Sequence, residues 1–386
     1  LKLVKDPVHG YITLTEQELG LVDSRTVQRL RRISQLPLVH LVYPGARHSR
    51  FDHSLGCMHL AGEFADHLRL DDVEKTLVRA SALLHDIGHT PFSHLLEELL
   101  VVKGLSHEDM SIRIIQQEVE VSKALTQMGI TVDDVVNMLR GRSRLSGLIS
   151  GPLDVDRLDF LVRDSYFSGA TYGVVDVKRI IRLTKLLDDG PAVDSRVIGA
   201  VEELAMARYH SFINIYFHHA VRAAQLLLLR GALILGDVLD FGGMTVDEYL
   251  EHDDFTTWCL LKNREETRWV IRRLERRVLP RSVFERQFFG GDGPRLDLMD
   301  RDEVEKMVAD EAGLDPVKVF VDFSYAPPLT KYGPGEIKIH PPVEAESWIL
   351  QQLSKPLKLV RVYVDRDVQR VDSVRAAADE VFSKKA

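Results

Sequence analysis

Apolar residues recur at helical spacing through most of the chain and alternate as in strands mainly towards its two ends. Glu16 to Gln35 reads as helical, with Leu19, Leu21, Val22, Val27, Leu30 and Ile33 on one side. Its other side carries Arg25, Arg29, Arg31 and Arg32. Such a run is ordinarily a solvated face; the rival reading is an anion-binding surface. After a loop over Pro37 to Ser49, a helix is expected from Asp52 to about Leu68, with Met58, Ala61, Phe64, Ala65 and Leu68 at helical spacing. Another begins near Asp71 and Asp72, whose carboxylates suit a helix N-terminus. A helix from about Asp109 to Glu120, a Gly-rich loop from Gly141 to Gly151 and a long helix from about Val201 to Leu235 follow. Lys2 to Thr15 reads as a short β element around the turn residues Asp6-Pro7-Val8-His9-Gly10. Val317 to Asp322 and Leu357 to Val364 alternate as strands do, with Pro327, Pro328, Pro334 and Gly335 marking loops between them. Glu265 to Arg281 is a basic amphipathic helix, and Ser373 to Ala386 a surface helix.

Bulk properties narrow this picture. At 386 residues the chain exceeds a typical single core, so two lobes are expected, divided near residues 240–243. A net charge of -8 argues against a general nucleic-acid coat but leaves room for a local basic pocket. Cys57 and Cys259 lie far apart, which excludes a disulfide framework and points to a reducing, cytoplasmic setting. The most apolar run, Ala223 to Leu235, is interrupted by Arg230 and Gly231 and is too short to span a bilayer, so no membrane role is expected. No secretory signal is visible, and with Leu1 as first residue N-terminal targeting is not judged.

The densest chemistry lies in Leu83-Leu84-His85-Asp86-Ile87-Gly88-His89-Thr90-Pro91-Phe92-Ser93-His94. Imidazole nitrogen beside carboxylate oxygen suits a divalent metal of intermediate hardness. His89 follows His85 by one helical turn, so on a helix the two share a face. Gly88 removes bulk where another group could approach. A metal needs further ligands, and His53, His107 and Asp156 are candidates. Taken alone, each has an ordinary explanation: a helix-start residue, a cap residue and a solvated carboxylate.

Their order lifts them. His53, then His85-Asp86, then Asp156 resembles the H…HD…D ligand pattern of the HD-domain phosphohydrolase superfamily. The likeness extends to its deoxynucleoside triphosphate triphosphohydrolase branch. It is carried by Asp6 to Gly10, Gln28-Arg29-Leu30-Arg31, Gln35-Leu36, Pro44 to Gly56, His85 to His94, Ser106-His107-Glu108 and Asp154 to Phe160. It implies a mainly α fold: an HD-domain helical core with a short N-terminal β element over residues 1–240, and a smaller α+β lobe over 241–386 for oligomerisation or regulation.

The resemblance also implies roles. His53, His85, Asp86 and Asp156 would hold one divalent ion: Mn, Fe, Mg, Co, Ni or Zn. His107 matches a general acid for the departing 5′-oxygen, with Glu108 beside it to orient the ring. Arg50, His89, His94, Arg157 and Arg208 match groups that grip a triphosphate; His89 and His94 would face phosphates and not the metal. Gln35 and Asp164 match residues that hydrogen-bond the sugar, Asp164 at its 3′-hydroxyl; Leu36 is a further substrate-binding match, and Tyr216 an aromatic near the sugar 2′ position. Phe160 stands where the mammalian enzyme has Tyr, and Arg157 where it has Lys. The fit is loose around His210 to His219. Asp23, Gln28 and Arg31, with Lys2 and Leu3 adjacent, coincide with a site for an activating nucleotide such as GTP or dGTP, which implies a homo-oligomer, dimer or tetramer. The reaction implied is release of deoxynucleoside and intact triphosphate from a dNTP. Two alternatives stay open: an HD phosphohydrolase for another phosphoester, such as a nucleoside monophosphate or cyclic nucleotide, and a nucleotide-sensing or nucleic-acid-binding module with little turnover.

Overall fold

The chain opens with an antiparallel hairpin, β1 (Lys2–Asp6) and β2 (Gly10–Leu14). Asp6 builds the turn: its Oδ1 accepts from the N–H groups of Val8 (2.9 Å) and His9 (2.7 Å). Gly10 takes φ +81°, which a side chain would resist. The computed structural model describes all residues except 291–294, 297–298, 327–336, 341–346, 354 and 385–386, so the loops expected at Pro327, Pro328, Pro334 and Gly335 lie outside the described residues.

The helical stretch expected from Glu16 divides into α1 (Glu16–Val22) and α2 (Arg25–Arg29), because the Ser24 side chain caps a new start at the Val27 N–H. Arg29 leaves the expected solvated face. It is buried, and its Nε donates to the His252 carbonyl (2.8 Å), 223 residues away. Helical periodicity in α2 carries no sign of a partner so distant in sequence.

Two long helices come next, α3 (Arg50–Leu68) and α4 (Asp72–Leu84). Ser49 caps α3 in a reciprocal box with Asp52, and Asp71 caps α4 through the Glu74 N–H. Shorter helices follow: α5 (Glu98–Val101), α6 (His107–Gln117), α7 (Val119–Gln127) and α8 (Val132–Leu139). Then come α9 (Val155–Ser168), α10 (Val177–Arg182) and a hairpin that the apolar pattern does not reveal, β3 (Thr184–Leu187) and β4 (Gly190–Val193). The single helix expected from Val201 to Leu235 is two, α11 (Ile198–Ser211) and α12 (His219–Ile234), joined through a π-helical turn at Phe212–Tyr216. The helical series closes with α13 (Val246–Leu250), α14 (Asp254–Asn263) and α15 (Arg268–Glu275).

The C-terminal part is α+β. β5 (Arg281–Phe289), α16 (Arg301–Ala312), β6 (Val319–Ala326), α17 (Trp348–Leu353), β7 (Leu357–Val364) and α18 (Val371–Lys384) complete the chain. β7 lies between β5 and β6 and pairs antiparallel with both. Val304, Val308, Val374 and Phe382 from α16 and α18 join Val319, Val321, Val360 and Val362 in one buried apolar cluster. The molecule is therefore mainly α with small sheets. A first apolar cluster runs from Ile12 through α3, α4, α6 and α12 to Leu279 and takes in Phe320 of β6 and Tyr363 of β7; a second gathers α3, α9 and α11. Residues 246–279 thus share the first cluster with helices that precede residue 240. No helix among the described residues is long and apolar enough to cross a membrane.

Candidate active site

Three helices converge on His53, His85 and Asp156. His53 lies in the first turn of α3, His85 is the C-cap of α4, and Asp156 lies in the first turn of α9. Helix α4 stops there because its last carbonyls meet side chains: His85 Nδ1 donates to the Ala82 carbonyl (2.8 Å), and Ser111 Oγ donates to the His85 carbonyl (2.8 Å). The expectation that His85 and His89 share a helical face is corrected accordingly. Residues 85–88 are a turn. Gly88 is needed in it, because a Cβ would meet the His107 carbonyl oxygen and the Ser111 nitrogen at 2.2 Å each.

The hydrogen bonds assign the imidazole protons. Asp159 Oδ2 lies 2.8 Å from His53 Nδ1, and a carboxylate only accepts, so Nδ1 carries the hydrogen. The same reasoning holds for His85 Nδ1 against its backbone carbonyl. Both Nε2 lone pairs therefore turn inward. His53 Nε2 is 3.0 Å from Asp156 Oδ1 and 3.6 Å from Asp86 Oδ2; His85 Nε2 is 3.3 Å from Asp86 Oδ1 and has no hydrogen-bond partner although buried. Burial opposes charge on both imidazoles, but the acidic neighbours raise their pKa, so either a proton on Nε2 or a metal ion satisfies the facing carboxylate oxygens. The nitrogen and oxygen donors fit a divalent metal. Ligand atoms of His53, Cys57, His85 and Asp156 all lie within 4.8 Å of one another. Burial opposes ionisation of Asp156 and Asp86, but the neighbouring imidazoles, and Arg50 beside Asp86, hold both carboxyls well below the usual carboxylate range. Burial also pushes the Cys57 thiol far up.

A second group adjoins the first. His89 Nε2 is 3.3 Å from Asp86 Oδ1, and its ring stacks on His107 at 4.0 Å. Burial, with Arg50 and His107 nearby, drives the His89 pKa well down. His107 behaves oppositely: burial disfavours its charge, but a 2.5 Å contact from Nδ1 to Glu97 Oε1 raises its pKa. Glu97 also accepts from the His107 N–H (3.0 Å) and contacts His94 Nδ1 (2.8 Å). The carboxylate on the His107 ring is thus Glu97, ten residues earlier, where Glu108 is expected; spacing to His94 signals only the local His94–Glu97 contact. His94 itself is largely exposed.

The remaining expected residues surround these groups. Arg50 donates from Nη1 to Asp86 Oδ2 (2.5 Å) and from Nε to Ser93 Oγ (2.7 Å). Arg157 donates to Asp154 Oδ2 (2.6 Å) and to the Gly151 carbonyl. Arg208 is buried over the Phe212 ring (4.7 Å) and forms no ion pair among the described residues; burial, with Arg157 nearby, lowers its pKa to about 10. Asp164 Oδ1 lies 2.7 Å from His48 Nε2, and its Oδ2 accepts from the Tyr216 hydroxyl (2.5 Å). Gln35 is buried with Oε1 unpartnered, and Leu36 packs in a small cluster with Tyr216. Phe160 packs against the second apolar cluster. Of the residues expected to bind an activator, Asp23 is exposed at the end of α1, Arg31 donates to Gln28 Oε1 (2.8 Å), and its guanidinium lies 3.5 Å from the Phe51 ring.

Comparison with known proteins shows the family. Residues 50–159 match the HD domain, and residues 175–381 match the HD associated region. An uncharacterised protein of Bacillus subtilis, YwfO, is 31% identical over 394 residues, covering 93% of this chain and 88% of its own. The Dictyostelium discoideum homologue of deoxynucleoside triphosphate triphosphohydrolase SAMHD1 is 29% identical over 247 residues, 59% of this chain and 48% of its own. A solved structure of a phosphohydrolase from Bacteroides thetaiotaomicron superimposes with a TM-score of 0.73 at 25% identity, covering 95% of this chain and 100% of that one.

Proposed function

Because the chain belongs to the HD-domain phosphohydrolase superfamily, in the branch that includes the deoxynucleoside triphosphate triphosphohydrolases, we propose that it hydrolyses dNTPs to deoxynucleoside and inorganic triphosphate. The observation that carries this reading is the buried guanidinium of Arg208, near Arg157 and Tyr216 and in no ion pair among the described residues. A buried arginine favours an anionic ligand, and a polyphosphate supplies several charges to share among Arg50, Arg157 and Arg208.

His53, His85, Asp86 and Asp156 would hold the metal, which when bound polarises the scissile phosphate and acidifies a water. His107, kept protonated by Glu97, would donate its proton to the departing 5′-oxygen. His89, neutral and stacked on His107, would face the phosphates. Asp164, held between His48 and Tyr216, would accept from the sugar 3′-hydroxyl. Tyr216 would crowd the 2′ position. Activation by a guanine nucleotide through Asp23, Gln28 and Arg31, and a homo-oligomer, belong to the same proposal.

The test is a product assay. Metal-reconstituted protein is incubated with single dNTPs and with pairwise mixtures, and the phosphate product is identified. Release of inorganic triphosphate is expected, and turnover confined to mixtures would reveal activation. Orthophosphate or pyrophosphate as sole product would sink the proposal and favour another phosphoester.

A further inference from the structure

The imidazole of His9, at the hairpin turn, reaches the interior. Its Nε2 lies 2.6 Å from Asp159 Oδ1, and its side chain is only 10% exposed. The other oxygen of Asp159 holds His53 Nδ1 at 2.8 Å. One carboxylate therefore spans the N-terminal hairpin and a candidate metal ligand. Arg163 closes the arrangement: Nε and Nη2 donate to Asp159 (2.8 and 2.9 Å), and Nη1 donates to Asp6 Oδ2 (2.7 Å), on the residue whose Oδ1 forms the hairpin turn. Asp159 and Arg163 are both fully buried, and Gly56 makes room for them: a Cβ there would lie 1.9 Å from Asp159 Oδ1 and 2.4 Å from Arg163 Nη2.

From this geometry we infer that His9 is a positioning residue of the metal centre: through Asp159 it sets the tautomer and orientation of His53, so that metal affinity and order in the hairpin are coupled. The inference rests on the reading of the His53 cluster as a metal site. A carboxylate that accepts from a ligating imidazole fixes which nitrogen carries the lone pair and raises its basicity; such outer partners are worth about 10- to 100-fold in metal affinity. His9 acts one bond further out, by holding the carboxylate. Coupling is reciprocal, so a bound metal orders the hairpin in return.

Two substitutions separate this role from simple packing, since His9 also lies against His59, with ring centroids 5.2 Å apart. H9F keeps an aromatic ring and removes the donor. H9Q keeps a donor and removes the ring. Metal-free protein is titrated with Co(II), and backbone hydrogen exchange over residues 2–14 is followed with and without the ion. The expected result is Co(II) binding weakened about tenfold or more in H9F and within about threefold of wild type in H9Q. Co(II) slows hairpin exchange in wild type and H9Q, and not in H9F. Unchanged binding in H9F, or equal loss in both variants alongside equal loss of thermal stability, overturns the inference. Wild-type protein that fails to bind Co(II) overturns the metal reading itself and the inference with it, whatever the dNTP assay gives.

Discussion

At the scale of single residues, His53, His85 and His107 each commit Nδ1 to an oxygen acceptor and leave Nε2 for other partners. His107 is the clearest case for a pH test. Its pKa is raised because Glu97, held ionised, stabilises the imidazolium against the cost of burial. The protonated form that the proposed general acid needs therefore persists above the ordinary histidine range, and activity should fall only as pH rises past that raised value. In E97Q, burial acts without its counterweight. The alkaline limb of the kcat profile should move to lower pH, and kcat at neutral pH should drop by roughly 10²-fold. An unmoved limb would remove His107 from the acid role. Gly56 offers a second test. A G56A methyl would collide with Asp159, so metal affinity should fall and stability should drop by about 1–3 kcal/mol, read by metal titration and thermal unfolding. These residues differ in how legible they are. His85 and Asp86 announce themselves by adjacency, whereas Glu97 and Asp159 each read as one more acidic residue until the fold brings an imidazole to them.

At the scale of elements, what matters is where helices stop. Helix α4 ends at Leu84, α11 gives way to a π-helical turn, and the loop after residue 88 holds two residues, Phe92 and Ser93, at φ +58° and +53°. Non-glycine residues at positive φ persist only where surrounding structure holds them. Asp254, at the start of α14, does this: one oxygen accepts from the Phe92 N–H (2.6 Å) and the other from the Ser34 N–H (2.9 Å). Burial pushes its pKa up to about 6. A carboxyl whose folded value is raised contributes stability below its unfolded value near 3.8 and loses it as pH rises through about 6. Wild type should therefore lose stability relative to D254N between about pH 4 and pH 6, an effect of order 3 kcal/mol read from urea midpoints across that range. A constant difference would mean Asp254 titrates normally. Periodicity located α3, β7 and α18 because apolar residues recur in each at its own period, but it did not show that α3 and β7 are buried on more than one face or that α18, expected as a surface helix, buries Val374, Ala378 and Phe382. It missed the hairpin β3–β4, the sheet edge β5 and the break after Ser211, where ends are decided by contacts with other elements.

At the scale of the whole molecule, α3, α4 and α9 are brought together by two apolar clusters, and the candidate metal site lies where their ends meet. A metal held as proposed would tie His53, His85, Asp86 and Asp156 of three helices together, and an ion that binds only the folded chain stabilises it. Chelation should therefore lower the thermal midpoint, and readdition of a divalent ion at about 100 times its Kd should restore about 2.7 kcal/mol. An unchanged midpoint with chelator would argue that no metal is held. The sequence alone determined the helical class and the α+β character of the C-terminal part, and it singled out His53, His85, Asp86 and Asp156 as candidate ligands, because periodic burial and clustered ligand types are local properties of a chain. Only the tertiary structure decided that Arg29 is buried, that Glu97 holds His107, and that His9 reaches His53 through Asp159. Those facts depend on side chains meeting across as many as 223 residues. Spacing within one helix records which face is apolar, and carries nothing about which distant donor or acceptor will be packed against it.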